Sequence, residues 1–252
     1  MQAPPAVVFD EVTFGQYVRA YCCTGERFFD VHPPHGKLLI ALAAKVGGFD
    51  RSFVFEKIGQ PYGSAPVAAL RFVPALMGTL IPLLFFLFLR ELKASPPIAL
   101  IGGLLVALDN GMLIETRLLL FDGILIASTL AALVCFLAAQ RHGGGGWRLL
   151  AAGLLAGLAT GTKLTGLAAP ALILLCLAFG LGVVKAPLGD RVRQALIVLV
   201  AACAVYLAGW VVHWALLPNP GPGDAFYPTT GRIVTDLITA QRTMLSQNVS
   251  MT

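Results

Sequence analysis

The sequence predicts an all-α integral membrane protein with about six transmembrane helices and an outer N-terminal loop carrying interfacial helices. Three observations lead there. Of 252 residues, 57% are hydrophobic and only 12% are Asp, Glu, Lys or Arg, against about 25% charged in an ordinary soluble domain. The mean hydropathy is +0.80, and a soluble chain of this length would need polar residues over most of its surface. The apolar residues also fall in long runs divided by short connections that carry cations. This composition excludes a soluble enzyme, a nucleic-acid reader and a disordered tail. The net charge of +5 therefore reads as a topology signal.

A spanning helix needs about 20 mostly apolar residues. Phe72 to Leu89 is uncharged and bracketed by Arg71 and Arg90. Pro96 to Leu108 is apolar, then meets Asp109 and Asn110 before Ile114. Leu118 to Ala139 is interrupted only by Asp122. Leu149 to Thr162, Leu164 to Val184 and Ala195 to Leu217 complete six predicted spans. Residues 1–65 then form an outer segment, 66–217 the membrane domain and 218–252 a second outer segment.

Charge in the short connections sets the orientation. Arg90, Lys93, Arg141, Arg148, Lys185, Arg191 and Arg193 fall on one side, and only Arg117 and Lys163 in the opposite connections. Lys and Arg accumulate on the cytoplasmic side, so the seven-cation face is inside. Arg71, Asp109, Glu115, Arg117, Asp122, Lys163 and His213 then converge on the outer ends of their helices. Snorkelling and helix capping explain any one of them; their convergence points to a polar, outward-opening cavity.

In the outer segment, Phe9, Val12, Phe14, Tyr17, Val18 and Tyr21 share a helical face, which predicts a helix lying on the membrane surface. Pro33 and Pro34 interrupt any helix there, and Leu38 to Val46 is too short to span. Asp10 and Glu11 are neighbours, so on a helix their side chains diverge by about 100°; only one can address a given reacting atom. Acids at a helix start are also favoured by its dipole. His32 and His35 lack a matching Cys or carboxylate set, so no metal is expected. The five cysteines show no disulfide framework. Gly143 to Gly146 reads as an inner turn, and Asn248-Val249-Ser250 fits the glycosylation acceptor spacing.

Several ordered segments carry a closer likeness: VVFDEVTFGQY, FFDVHPPHGKLLIAL, FEKIGQPYG, LRFVPALMG, ALDNGMLIETRLLLFDGIL, TGTKLTG and WVVHWALLPNPGPGDAF. In this order, from about Phe9 onward, the chain resembles the protein O-mannosyltransferase family and its bacterial relatives. The resemblance implies the multi-spanning C-type glycosyltransferase fold. It implies transfer of mannose, with inversion, from a polyprenyl-phosphate donor to Ser or Thr hydroxyls of translocated proteins. It needs no cofactor and places the site on the outer, periplasmic side of an inner membrane. By the same resemblance Asp10 and Glu11 match the family's acidic pair, with Asp10 the expected base. His32, Arg71, Arg117, Lys163 and His213 are expected at the donor phosphate, and Asp109 and Asp122 elsewhere in the cavity.

The residue chemistry agrees with that expectation. Single displacement at a sugar needs one base at the acceptor hydroxyl. Phosphate is already a good leaving group, so positive charge where its charge grows is the main further help. Arg offers a fork matched to phosphate oxygens, and the two-carboxylate scheme of glycosidases is not required. Family members carry a spanning helix before the acidic pair and continue beyond the point matching Thr252, so the chain reads as a piece truncated at both ends. Three other readings remain at this level: transfer of another lipid-linked sugar to lipid A or a glycan, an inactive fragment, and a transporter with an outward cavity.

Overall fold

The structure, a computed structural model, describes residues 3–142, 146–181, 186–226, 230–231 and 233–250. Lys185, three glycines of the 143–146 run and Thr252 lie outside them. The described residues form helices joined by turns and irregular loops, with two isolated β-bridges, Ala6 to Pro61 and Glu26 to Asn219. The all-α expectation holds.

The outer segment contributes α1 (Glu11–Arg19), running into a wide turn at Ala20–Thr24, then α2 (His35–Val46) and α3 (Val67–Leu70). The membrane part is built from α4 (Phe72–Glu91), α5 (Pro96–Ala107), α6 (Asn110–Glu115), α7 (Asp122–His142), α8 (Gly146–Thr162), α9 (Ala168–Phe179) and α10 (Leu188–Leu216). After a short turn at Pro222–Ala225, α11 (Ile233–Ser250) closes the chain.

Among the described residues three helices, α4, α7 and α10, are long and apolar enough to cross a membrane. Their apolar side chains are widely exposed, as at Leu83, Leu199 and Val200, which suits lipid as the surrounding solvent. Two of the other predicted spans are shorter than the sequence implied, and the fourth starts three residues earlier. Helix α5 has 12 residues, about 18 Å, because Asp109 accepts a hydrogen bond from Met112 N at 2.7 Å and starts a new helix. Leu164–Leu167 is a tight 3-10 turn leading into the 12-residue α9, which ends at Gly180 in the left-handed region with φ 64. Helix α8 has 17 residues.

The third predicted span is shifted. Leu118 to Phe121 is buried non-helical chain, and Asp122 begins α7 instead of interrupting it, where the dipole favours an acid. Phe9 is 63% exposed with φ 50 and stands outside α1, so it leaves the apolar face predicted for it. Phe14, Val18 and Tyr21 keep that face buried. They join Phe49, Phe55, Tyr62 and Leu118 to Phe121 in one core, so the outer segment packs on the entrance to α7. Arg27 ties it to the second outer segment, donating to both carboxylate oxygens of Asp224 at 2.6 and 3.1 Å and to Pro218 O at 2.9 Å. Cys22 and Cys23 are joined to each other as a disulfide, a pairing of neighbours that the cysteine spacing did not indicate.

Candidate active site

The acidic pair divides as helix geometry requires. Glu11 is fully buried, and its carboxylate receives four donors: Arg71 Nε at 2.8 Å, Arg71 Nη2 at 2.9 Å, Val8 N at 2.9 Å and Leu119 N at 2.9 Å. Arg71 is equally buried, donates also to Pro4 O at 2.8 Å, and lies over the Tyr62 ring at 5.1 Å. Burial, with the Glu11 charge, pushes the Tyr62 phenol well above its usual pKa. Arg71 was expected at a donor phosphate and Glu11 beside the base; both are instead enclosed in this bidentate pair, whose fork and carboxylate satisfy one another. Asp10, by contrast, is exposed at the N-cap of α1 and makes no side-chain cap hydrogen bond. Its place at the N-terminus of α1 is one where the helix dipole favours an acid.

Asp10 precedes α1, and its carbonyl oxygen accepts from Phe14 N at 2.9 Å. The Phe14 ring packs on Phe121 with centroids 4.3 Å apart. Phe121 is the hub of the site. The His32 ring meets it edge-on at 5.4 Å, and Lys163 Nζ lies 5.3 Å from its centroid. Lys163 donates to Asp122 Oδ1 at 2.6 Å, and this pair is partly open, with side-chain exposures of 21% and 29%. The loop after α8, the first residue of α7 and the turn before α2 therefore bring Lys163, Asp122 and His32 together from distant sequence positions.

Burial holds the His32 imidazole below its usual pKa. Lys37 and Lys163 push the same way, and Asp30 and Asp122 oppose them. The ring is therefore neutral at neutral pH and can donate one hydrogen bond and accept another. Lys37 and Asp30 form a buried ion pair behind it. Neither was singled out from the sequence. The signal that could have found them is their spacing across the Pro33–Pro34 turn, which folds residue 30 back onto residue 37.

His213 is 4% exposed and hydrogen-bonded through Nδ1 to Tyr21 Oη at 2.7 Å. It shares a narrow cleft with Asp30, His32, Lys37 and Trp210 but sits among aromatic rings. Asp109 is used in capping α6, and Arg117 is exposed. Among the described residues, no group of three or more His, Cys, Asp or Glu side chains is placed to hold a metal.

Beside this cluster, an apolar cavity of about 530 Å³ opens between α2 and α10, lined by Tyr21, Leu38, Leu42, Val212 and Leu216, with Lys45 on its wall. His35 forms part of the same wall, its Nε2 2.8 Å from Val205 O and its Nδ1 3.2 Å from Gly161 O. A Cβ on Gly161 or Gly209 would stand 2.1 or 2.0 Å from that ring, so these two positions require glycine for α2 to seat against α8 and α10.

Residues 1–217 match the family model described as dolichyl-phosphate-mannose-protein mannosyltransferase. The chain belongs to this family. It is 34% identical over 238 residues to Protein O-mannosyltransferase 1 of Drosophila melanogaster, covering 89% of this chain and 27% of the fly protein. It is 35% identical over 246 residues to Protein O-mannosyl-transferase 1 of Mus musculus, covering 88% of this chain and 32% of the mouse protein. The fold matches the S. cerevisiae protein O-mannosyltransferase Pmt1-Pmt2 complex bound to the sugar donor, with a TM-score of 0.81 and 30% identity over 90% of this chain and 33% of that one. The chain thus spans about a third of the length of these relatives. As a mannosyltransferase-family chain it is a multi-pass membrane protein. These named relatives are animal and fungal, so family membership stands without placing the chain in the bacterial branch.

Proposed function

We propose that this chain carries the base and donor-phosphate portion of an inverting transferase, which moves mannose from a polyprenyl-phosphate carrier to Ser or Thr hydroxyls of translocated proteins. The observation that carries this reading is the contrast within the acidic pair. Glu11 is consumed by four donors, whereas Asp10 stays exposed and makes no side-chain cap hydrogen bond.

In this reading Asp10 accepts the proton of the acceptor hydroxyl as its oxygen attacks the mannose C1. The C1–O bond to phosphate breaks, and the polyprenyl phosphate leaves with the electron pair. Lys163 and neutral His32 offer donors to the phosphate oxygens as their charge grows, with Asp122 orienting the lysine. Arg71 acts indirectly, by fixing Glu11 and through it the start of α1. His213 supports the wall of the cleft through Tyr21, and Arg117 and Asp109 stay at the cavity's outer margin. The cavity between α2 and α10 has the apolar lining that the polyprenyl chain needs.

Six crossings with the 1–65 and 218–252 segments on the outer face, in a bacterial inner membrane, remain part of the proposal. The positive-inside asymmetry supports the orientation, and the packing of α5, α8 and α9 against the three longer helices supports the crossings. The test is reconstitution in liposomes with radiolabelled polyprenyl-phosphate-mannose and a Ser/Thr-rich peptide. Label on the peptide with the anomeric configuration inverted relative to the donor supports the reading. Label found only on lipid or glycan acceptors contradicts it.

A further inference from the structure

We infer that Lys37 is a positioning residue for the transfer reaction, acting through His32. Lys37 is 2% exposed. Its ammonium pairs with Asp30 and donates to the carbonyl oxygen of His32 at 2.6 Å. Three aromatic rings enclose it, those of Tyr17, Phe28 and Phe121, with centroids at 5.5, 6.0 and 5.8 Å.

A buried ion pair is rarely needed for stability alone, since apolar side chains of similar volume often serve as well or better. The informative contact is therefore the one to His32. The backbone there is held at three consecutive points. Asn248 of α11 donates to Val31 O at 3.1 Å, Lys37 holds His32 O, and Pro33 confines His32 to extended conformations. With its backbone fixed in this way, the His32 ring is aimed edge-on at Phe121, beside Lys163 and Asp122. Without the Lys37 donation, the His32 peptide loses the contact that sets its tilt, and the ring can swing out of register with the donor phosphate.

This inference rests on the proposed role of His32 at that phosphate. The test is a mutant cycle in the full-length protein in liposomes, with polyprenyl-phosphate-mannose and a Ser/Thr peptide as probes, and melting in detergent as the check on folding. Lys37→Met is expected to lower kcat roughly 10- to 100-fold, the usual scale for misplacing a reacting group by about 1 Å. In a His32→Ala background the same change is expected to cost less than about twofold, because the residue it positions is gone. A full multiplicative loss in that background would overturn the inference, as would unchanged kcat in Lys37→Met.

Lys37→Met alone leaves Asp30 buried and unpaired, which can prevent folding. The double variant Asp30→Asn/Lys37→Met buries no unmatched charge. It is expected to fold and insert yet keep the low kcat, since His32 O still lacks its donor. Recovery to wild-type turnover would show that Lys37 serves only Asp30, and would overturn the inference. Failure of the broader reading is separable: Asp10→Ala at full activity would remove the base while leaving the His32 and Lys37 cycle intact as a measurement.

Discussion

Arg71 grips Glu11 with two parallel hydrogen bonds, 2.8 Å from Nε to Oε1 and 2.9 Å from Nη2 to Oε2, although the two residues lie 60 positions apart and neither is exposed to solvent. This pair welds the N-terminal end of α1 to the start of α4, and Leu119 N adds the approach to α7. Asp10 and Phe121 are thereby held on a common frame.

Removing one partner of this pair strands a buried charge. Glu11→Gln or Arg71→Met is expected to destabilise the protein by about 3–5 kcal/mol, seen as a lower melting temperature in detergent. Arg71→Lys is expected to rescue little, because an ammonium cannot reproduce the fork. A melting temperature equal to wild type in Arg71→Met would contradict the structural role assigned to the pair.

The Asp122–Lys163 pair is partly exposed, so its contribution to stability is expected to be below about 1 kcal/mol. Its contribution to transfer is expected to be larger. Lys163→Met should lower kcat by roughly 100-fold, the scale for losing one donor to developing charge, with melting little changed. Asp122→Asn should cost less, since it only orients the lysine. Steady-state kinetics alongside melting curves separate the two effects.

Much of this architecture was legible in the residues. Long uncharged runs, Phe72 to Leu89 between Arg71 and Arg90 and Ala195 to Leu217, located α4 and most of α10, because lipid demands them; α10 begins seven residues earlier, at Leu188. The 100° divergence of neighbouring helical residues anticipated that Asp10 and Glu11 would part. The fate of Glu11 was not legible, because its partner lies 60 residues away and no local pattern encodes that contact. Asp109 looked like a polar break inside one span; its side chain in fact restarts the helix, which shortens α5. Lys37 and Asp30 escaped notice because charged residues in an outer segment ordinarily face water. Here the Pro33–Pro34 turn folds them under a lid of aromatic rings. His213, expected at the donor phosphate from the family resemblance, has a buried hydrogen bond to Tyr21 that no local pattern announces.

His32 gives the protein an acid-sensitive element. Its folded pKa is lowered, so the unfolded chain binds more protons than the folded one between that value and the ordinary imidazole value of about 6.5. Stability contributed by neutral His32 is therefore complete above about pH 6.5 and declines as pH falls toward the folded pKa. Melting temperature is expected to drop below pH 6.5, and to drop less in His32→Gln. An identical pH dependence in both proteins would contradict this assignment.

Gly209 and Gly161 are expected to resist substitution. Gly209→Ala places a methyl group 2.0 Å from His35 Cε1, so α2 must shift or His35 must leave its seat. A loss of roughly 1–3 kcal/mol is expected, the usual range for overpacking, and His35→Ala in the same protein should recover part of it. If Gly209→Ala melts like wild type, the close seating of α2 on α10 is contradicted.

The central claim is that Asp10 is the base and Glu11 a structural acid. The most direct measurement is single-turnover mannosyl transfer by Asp10→Asn, set beside wild type, with insertion and melting confirmed for both. The expected result is a melting temperature near wild type with the transfer rate reduced by at least about 100-fold, within the usual 10²–10⁴ contribution of a positioned base. Transfer by Asp10→Asn at the wild-type rate would contradict the account.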